Sequence, residues 1–231
     1  MSTIWFCGDV HGQFGHVLET LEKHPRDGYP LAVVFLGDLD PQEPLSRIFR
    51  RFLDAGIEPW FIHGNHEPEH ANVWQYTLDC WERNLHGRVE TIAGIRIAGL
   101  GGTFRNDIWF PDHDFAHPEP RFQTYNEYIK QRQPNAGWAR QHSATIFPDV
   151  VQELSRQRAD VLVTHEGPSC HPDGFATIDR LAATMGVKKL FHGHHHQDIS
   201  YDTELGFDAF QVGLRGIREL SGAIIKIGDS Q

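Results

Sequence analysis

The chain has 231 residues, of which 39% are hydrophobic and 23% charged, proportions that are typical of a globular protein and exclude a disordered one. A formal net charge of -10 argues against a broad surface for nucleic acid or anionic lipid. The 16 histidines are unusual, because histidine is the commonest metal ligand and a common acid-base group near neutral pH.

Buried strands alternate with amphipathic helices in the pattern of the first hundred residues. Strands are predicted at residues 4–7, 31–36 and 59–62, and helices at residues 14–21, 45–52 and within 68–83. Strand–helix–strand order of this kind favours right-handed crossovers and a largely parallel sheet.

The second half of the chain is less regular. Strands are predicted at residues 95–100, 161–163 and 189–191, helices at 143–158 and 178–185, and late, antiparallel strands at 207–213 and 223–227. Residues 103–141 lose clear periodicity, and a long irregular stretch inside a compact domain is usually a functional or mobile loop. We therefore expect one domain over residues 1–231, with an irregular insert at about 103–141.

Cysteine usage and the apolar stretches predict the compartment. The three cysteines, Cys7, Cys80 and Cys170, are too widely spaced and too few to make a disulfide framework. The longest apolar stretch, residues 31–36, falls far short of a membrane span, and no basic stretch precedes the apolar run at the N-terminus. We therefore expect a cytoplasmic protein with no membrane partner, while its oligomeric state leaves no trace in the sequence.

Side chains that can bind a metal follow five of the predicted strands directly. They are Asp9 and His11, then Asp38, then Asn65 and His66, then His165, and then the run His194-His195-His196. Ligands bind at the carboxyl ends of strands in open α/β sheets, so these side chains are expected to converge. Each motif alone is more often a turn or a structural feature, but five together, one of them a histidine tract, predict a metal site.

The same residues belong to five motifs that resemble those of a known family. The motifs are Gly8-Asp9-Val10-His11-Gly12, Gly37-Asp38, Gly64-Asn65-His66-Glu67, Thr164-His165 and Gly193-His194-His195-His196. In this order, over residues 8–196, they resemble the calcineurin-like metallophosphoesterase superfamily. The resemblance implies an α/β fold, namely a four-layer α/β/β/α sandwich with a metal site at the carboxyl ends of its strands.

The resemblance also implies a site for two metal ions. One ion would be held by Asp9, His11 and His196, the other by Asn65, His165 and His194, and both would be bridged by Asp38. Histidine and carboxylate donors without cysteine suit Mn, Fe, Zn or Ni, and we expect Mn. Because His194 and His196 are two apart, an extended segment would point them the same way and His195 elsewhere.

The implied reaction is hydrolysis of a phosphoester by a hydroxide that two metal ions activate. The enzyme would be a phosphatase or phosphodiesterase, and its substrate a small phosphorylated compound or a nucleotide. In the family, the histidine of the Asn-His motif lies beside the leaving group, so His66 is the candidate general acid; the alternative is a structural histidine. Two further functions stay open, a Ser/Thr protein phosphatase and a non-catalytic scaffold of the same fold.

The second motif departs from the family pattern, which commonly continues as Gly-Asp-x-x-Asp-Arg-Gly. Here it reads Gly37-Asp38-Leu39-Asp40-Pro41, so the second carboxylate comes one residue early and the arginine is missing. This departure weakens the match to the protein phosphatases. We expect Asp40 to be a loop carboxylate, the alternative being a carboxylate that orients a metal ligand. We expect Glu67 to pair with an arginine or to cap a helix that begins at Pro68.

Candidate substrate contacts lie where aromatic and basic residues follow the strand ends. Arg105, soon after the 95–100 strand, is the candidate for a phosphate contact. His171, in the loop after His165, and His195 are further candidates. The alternative for Arg105 is a residue that packs its own loop onto the sheet, and the alternative for His195 is a residue behind the metal ligands that does not touch substrate.

Overall fold

The computed structural model describes residues 4–113 and 119–230, and its strands form two mixed sheets. The strands of the first sheet are β1 (Ile4–Cys7), β2 (Ala32–Leu36), β3 (Glu58–Ile62), β10 (Ile217–Glu219) and β11 (Ile224–Lys226). Their order is β11-β10-β1-β2-β3, with β1, β2 and β3 parallel and β10 antiparallel to both of its neighbours.

The second sheet is formed by the middle and late parts of the chain. Its strands are β4 (Val89–Ile92), β5 (Ile95–Leu100), β6 (Val161–Thr164), β7 (Lys189–His192), β8 (Ile199–Tyr201) and β9 (Asp208–Gln211). Their order is β4-β5-β6-β7-β9-β8, and the four central strands β5, β6, β7 and β9 are parallel.

Helices connect most of the parallel strands. They are α1 (Gly15–Glu22), α2 (Leu45–Asp54), α3 (Ala71–Leu78), α4 (Tyr125–Arg132), α5 (Ala136–His142), α6 (Pro148–Ser155) and α7 (Ala176–Met185). None of the helices in the described ranges is long and apolar enough to cross a membrane.

Alternation along β2 sends its side chains into two different layers. Val33 and Phe35 pack with Phe49 and Phe52 of α2 on the outer side of the first sheet. Val34 lies on the opposite side, in the apolar layer between the two sheets. Because both faces of the strand are apolar, β2 appears in the sequence as a continuous hydrophobic run.

The second sheet is layered in the same way. Leu162 and Leu190 pack with Leu181 of α7 on its outer side. On its inner side Phe191 stacks on Phe6 of the first sheet, with ring centroids 3.9 Å apart. Helices thus cover both outer faces and the sheets pack against each other, which confirms the four-layer α/β/β/α sandwich.

The prediction that the late strands are antiparallel is confirmed for β11, which pairs with β10, and holds for β9 on one of its two sides. After β7 the chain forms β8, which lies two positions away in the sheet, and the next strand, β9, lies between β7 and β8. β9 is therefore antiparallel to β8 but parallel to β7. The strands β4, β8 and β10 are not predicted from the sequence.

The segment 103–141, expected to be irregular, contains helices α4 and α5; residues 114–118 lie outside the described residues. Each helix has a side-chain cap, since Thr124 accepts the N–H of Glu127 and Asn135 accepts the N–H of Trp138, both at 3.0 Å. The two helices are eight and seven residues long and bury few side chains, among them Tyr128. With so few buried side chains, these two helices lack the apolar stripe by which a helix is recognised.

Candidate metal centre

Five strand ends from the two sheets meet at one edge of the sandwich. β1, β2 and β3 belong to the first sheet, whereas β6 and β7 belong to the second. The side chains predicted to bind metal follow these strands: Asp9, His11, Asp38, Asn65, His165, His194 and His196. Among them, Asp38, His165 and His194 each offer a ligand atom, and these atoms lie within 4.8 Å of one another.

One group of donors contains His11 and His196, whose Nε2 atoms lie 3.3 Å apart. On the other side of its ring, His11 places Nδ1 2.7 Å from Oδ2 of Asp40. A carboxylate accepts, so Nδ1 donates and Nε2 of the neutral ring keeps its lone pair. This hydrogen bond also raises the pKa of His11. Of the two sequence-based alternatives for Asp40, the contact favours the carboxylate that orients His11 over a mere loop carboxylate. Asp40 has a left-handed backbone, with φ of 43°.

His165 belongs to a second group with Asn65 and Asp38. Its Nδ1 donates to the carbonyl oxygen of Leu36 at 2.8 Å. Its Nε2 lies 3.1 Å from Oδ1 of Asn65 and 3.4 Å from Oδ2 of Asp38. The ring of His194 is next to it, with centroids 4.7 Å apart. The backbone hydrogen bond thus fixes the orientation of the ring and turns Nε2 toward the oxygen donors.

Two carboxylates are buried at the centre of the site. The N–H of His194 donates to both oxygens of Asp9, at 3.1 and 3.0 Å. Oδ1 of Asp38 accepts the N–H groups of Asn65 and His66 at 2.9 and 3.1 Å. Backbone donors therefore hold both carboxylates in place, and Oδ2 of Asp38 is the oxygen that faces His165.

The charges of the site are unbalanced without a cation. Burial raises the pKa of Asp9 to about 6. Burial acts the same way on Asp38, but the charge of His165 and its hydrogen bond outweigh it and hold the Asp38 pKa well below its usual range. Burial lowers the pKa of His165, yet Asp38 and Asp9 raise it to about 10. Buried carboxylates must be paired or bind a metal, so this donor set fits divalent cations, which would take the place of the proton on His165.

The backbone of the site is left-handed at several residues other than glycine. The values of φ are 41° at His11, 47° at Asp38, 43° at Asp40, 72° at His194 and 59° at His196. Such conformations cost about 1–3 kcal/mol each and cluster at functional sites. The segment after β7 is therefore not extended, and His194 and His196 do not point the same way: His194 lies against His165, and His196 against His11.

Gly64 and Glu67, both in the third motif, hold the loop of that motif against the loop of the second motif. A Cβ on Gly64 would lie 2.1 Å from Oδ1 of Asp38, so only glycine allows the two loops to approach this closely. Glu67 is buried and accepts the N–H of Leu39 at 2.8 Å and that of Gly64 at 2.9 Å. The Glu67 carboxylate binds these two loops; the sequence-based expectation of an arginine partner or a helix cap at Pro68 is wrong.

His66, the candidate general acid, lies at the mouth of the site. Its side chain is 43% exposed, and its Nε2 is 3.9 Å from Oδ2 of Asp38. Its Nδ1 is 3.6 Å from Oε2 of Glu69, a residue that the sequence does not single out. This position leaves the ring accessible to a substrate while keeping it beside the buried carboxylates.

A cavity of about 310 Å³ opens beside Asn65 and His194. Two of the candidate substrate residues, Arg105 and His195, line it, and its apolar wall contains Phe104, Phe110 and Phe175. Nε of Arg105 and Nε2 of His195 are buried and have no hydrogen-bond partner among the described residues. Both groups therefore have hydrogen-bonding capacity that the described residues leave unsatisfied beside the cavity.

His171, the third candidate substrate residue, lies behind His195 rather than beside the metal-binding residues. The two rings stack with centroids 3.8 Å apart, and Nδ1 of His171 accepts the N–H of Asp173 at 3.1 Å. Burial lowers the pKa of His195 to about 4. Glu166, which the sequence does not single out, also lines the cavity, and its position directly after His165 is the only signal for it.

A family model for calcineurin-like phosphoesterases matches residues 2–198. The chain belongs to this family. A Haemophilus influenzae protein, described only as uncharacterized, is 36% identical to this phosphoesterase over 224 residues, which is 95% of this chain and 94% of that protein. The family is dimetal-dependent and hydrolyses phosphoesters, so the chain is a phosphoester hydrolase with candidate metal ligands in place.

Solved structures show the same fold in this phosphoesterase and in distant proteins. The protein TT1561 of Thermus thermophilus superposes with a TM-score of 0.60 at 16% identity, covering 96% of both chains. A dimetal phosphatase from Danio rerio has a TM-score of 0.54 at 13% identity, covering 92% of this chain and 87% of that one. At these identities the likeness concerns the fold alone.

Proposed function

We propose that this protein hydrolyses phosphoesters of small phosphorylated compounds or nucleotides in the cytoplasm, using two Mn ions. The single observation that carries the proposal is the pairing of donors at the sheet edge. His11 and His196 form one pair of nitrogens 3.3 Å apart, while Nε2 of His165 lies near oxygens of both Asn65 and Asp38. Two separate groups of this kind suit two ions better than one.

The proposed ligands follow from these groups. One ion would be held by Asp9, His11 and His196, the other by Asn65, His165 and His194, with Asp38 between them. When bound, the two ions would neutralise charge on the phosphoryl group and lower the pKa of water at the site. Nitrogen and oxygen donors of this kind are compatible with Mn, Fe, Zn and Ni.

The protein's own residues then have distinct roles. His66, exposed and 3.9 Å from Oδ2 of Asp38, would donate a proton to the departing alkoxide. Arg105 and His195, whose guanidinium Nε and ring Nε2 lack partners among the described residues, would contact the phosphoryl oxygens. His171 would support His195 by stacking on it.

The site residues also bear on the alternative functions. A non-catalytic scaffold has no need of strained ligand conformations or of an exposed histidine beside buried carboxylates, and both are present here. For a protein phosphatase, the missing arginine of the second motif is unfavourable, since Pro41 follows Asp40.

The proposed function is tested with purified protein and two aryl substrates, 4-nitrophenyl phosphate and bis(4-nitrophenyl) phosphate. We expect Mn²⁺ to support hydrolysis of at least one of them, a chelator to abolish it, and renewed Mn²⁺ to restore it. The absence of hydrolysis with Mn, Fe, Zn and Ni alike would contradict the proposal. The ratio of the two rates decides between monoester and diester preference.

A further inference from the structure

A second cavity, of about 290 Å³, lies between the segment that follows His66 and helix α5. Its lining includes Glu69, Asn135, Trp138, Arg140 and Gln141, and we refer to it as the Trp138 cavity. Glu69 connects it to the metal centre, because Oε2 of Glu69 is 3.6 Å from Nδ1 of His66. Nε2 of the same histidine is 3.9 Å from Oδ2 of Asp38. The ring of His66 therefore lies between the candidate metal site and the Trp138 cavity.

The position of His66 bears on where the leaving alcohol of a substrate lies. A general acid must lie within hydrogen-bond reach of the oxygen that it protonates. If His66 protonates the leaving oxygen, the alcohol that carries this oxygen lies beside His66, and Glu69 with the Trp138 cavity is adjacent to it on the Nδ1 side of the ring. The cavity beside Arg105 lies instead at Asn65 and His194, which places it on the phosphoryl side.

Trp138 is exposed but firmly positioned. The residue is 53% exposed, while one face of its indole stacks on the buried ring of His142 at 5.9 Å and 21°. Asn135 caps the helix through the N–H of Trp138, and Nε of Arg140 donates to the carbonyl oxygen of Pro68 at 2.8 Å. Helix α5 is thus fixed to the segment after His66, and the exposed part of the indole lines the cavity.

The polar groups around the indole define what would bind there. Asn135 and Gln141 offer side-chain amides, which can both donate and accept, and Glu69 offers a carboxylate, which accepts from hydroxyls. An aromatic face beside amides suits a planar heterocycle. Every nucleobase has a flat face that can stack on the indole, and the amides can form hydrogen bonds with the polar edge of the base. The carboxylate of Glu69 suits a sugar hydroxyl, and the guanidinium of Arg140 in the same lining offsets its charge.

We propose that the Trp138 cavity binds the nucleoside part of a nucleoside monophosphate, with the base stacked on Trp138 and the sugar near Glu69. This assignment rests on the proposed phosphoesterase function, and it narrows the substrate to a nucleotide. Trp138 is then a specificity-determining residue. It contributes to the binding of substrates that carry a base and not to the binding of substrates that lack one.

The test compares adenosine 5′-monophosphate with ribose 5-phosphate, which has the same phosphate and sugar but no base. With Mn²⁺ present, we expect Trp138→Ala to lower kcat/KM for the nucleotide about tenfold to a hundredfold, in keeping with the loss of one stacked base. Hydrolysis of ribose 5-phosphate should change little, which also shows that the variant is folded. Trp138→Phe should retain most of the preference, and Leu53→Ala, an exposed apolar position on α2, is the matched control.

Other outcomes would overturn the assignment. Equal wild-type kcat/KM for the two substrates, or an equal loss on both in Trp138→Ala, would exclude a base-binding role. A loss confined to a phosphoserine peptide would instead indicate a protein substrate. Hydrolysis of aryl phosphates without any of the nucleotide would overturn this assignment and leave the proposed function standing, whereas no hydrolysis of any ester would remove both.

Discussion

Oδ2 of Asp40 lies 2.7 Å from Nδ1 of His11 and so joins the second motif to the first. The hydrogen bond selects the tautomer in which Nε2 of His11 faces His196. A carboxylate that orients a ligand histidine in this way raises its basicity and fixes its ring. Although this carboxylate comes one residue early in the motif, it can therefore still orient His11, a proposed metal ligand.

Removal of the Asp40 carboxylate should weaken one of two metal sites. We expect Asp40→Ala to lower the affinity for one Mn²⁺ ion about 10- to 100-fold in calorimetric titrations. Asp40→Asn, which keeps an oxygen acceptor, should lose less. Asp54→Ala, at an exposed carboxylate paired with Arg50, is the control and should bind as the wild type does. Unchanged affinity in Asp40→Ala would show that His11 needs no support.

Loss of the His66 imidazole should slow the reaction according to the leaving group. For alkyl phosphates, we expect His66→Ala to lower kcat about 10²- to 10⁴-fold, because a poor leaving group needs its proton. For 4-nitrophenyl phosphate the loss should be much smaller, and bound metal should be unchanged. His70→Ala, an exposed histidine nearby, serves as control. An equal loss on both substrates would contradict the general-acid role.

The pH dependence of stability should reflect His86, which is partly buried. Its Nδ1 accepts the N–H of Gly101 at 3.1 Å, and burial lowers its pKa to about 4. Since an unfolded histidine takes up its proton near pH 6.5, the unfolded state binds more protons between pH 6.5 and 4. The free energy of unfolding therefore falls as the pH falls through this window.

Chemical denaturation at several pH values tests this expectation. Between pH 6.5 and 4, His86→Asn should lose less stability than the wild type, by at most about 1.4 kcal/mol per pH unit. His70→Asn, at an exposed position, should follow the wild type. If His86→Asn and the wild type lose stability in parallel, the buried histidine is not the cause.

The sequence is sufficient to predict the strands that carry the site and the edge at which they end. Runs such as residues 32–36 are apolar on both faces because each strand lies between a helix layer and the other sheet. The polar residues that follow them can then lie only at the ends of the strands. This is why five motifs spread over residues 8–196 could be placed at one edge before the structure is known.

Contacts between distant loops are not predictable from the sequence. The partner of Glu67 depends on how closely the second and third motif loops approach, which Gly64 allows. The partner of Asp40 depends on the approach of the first and second motif loops. The directions of His194 and His196 depend on left-handed φ values that no local pattern reveals in residues other than glycine. The Trp138 cavity depends on the docking of a seven-residue helix, which lacks the apolar stripe by which a helix is recognised.

The central claim is that two ions share Asp38, and the number of Mn²⁺ ions bound per chain tests it most directly. The count is made by elemental analysis on the wild type and on Asp38→Asn, beside hydrolysis of 4-nitrophenyl phosphate. We predict two ions per wild-type chain, and fewer than two in Asp38→Asn together with loss of hydrolysis. Two retained ions and full activity in Asp38→Asn would contradict the claim.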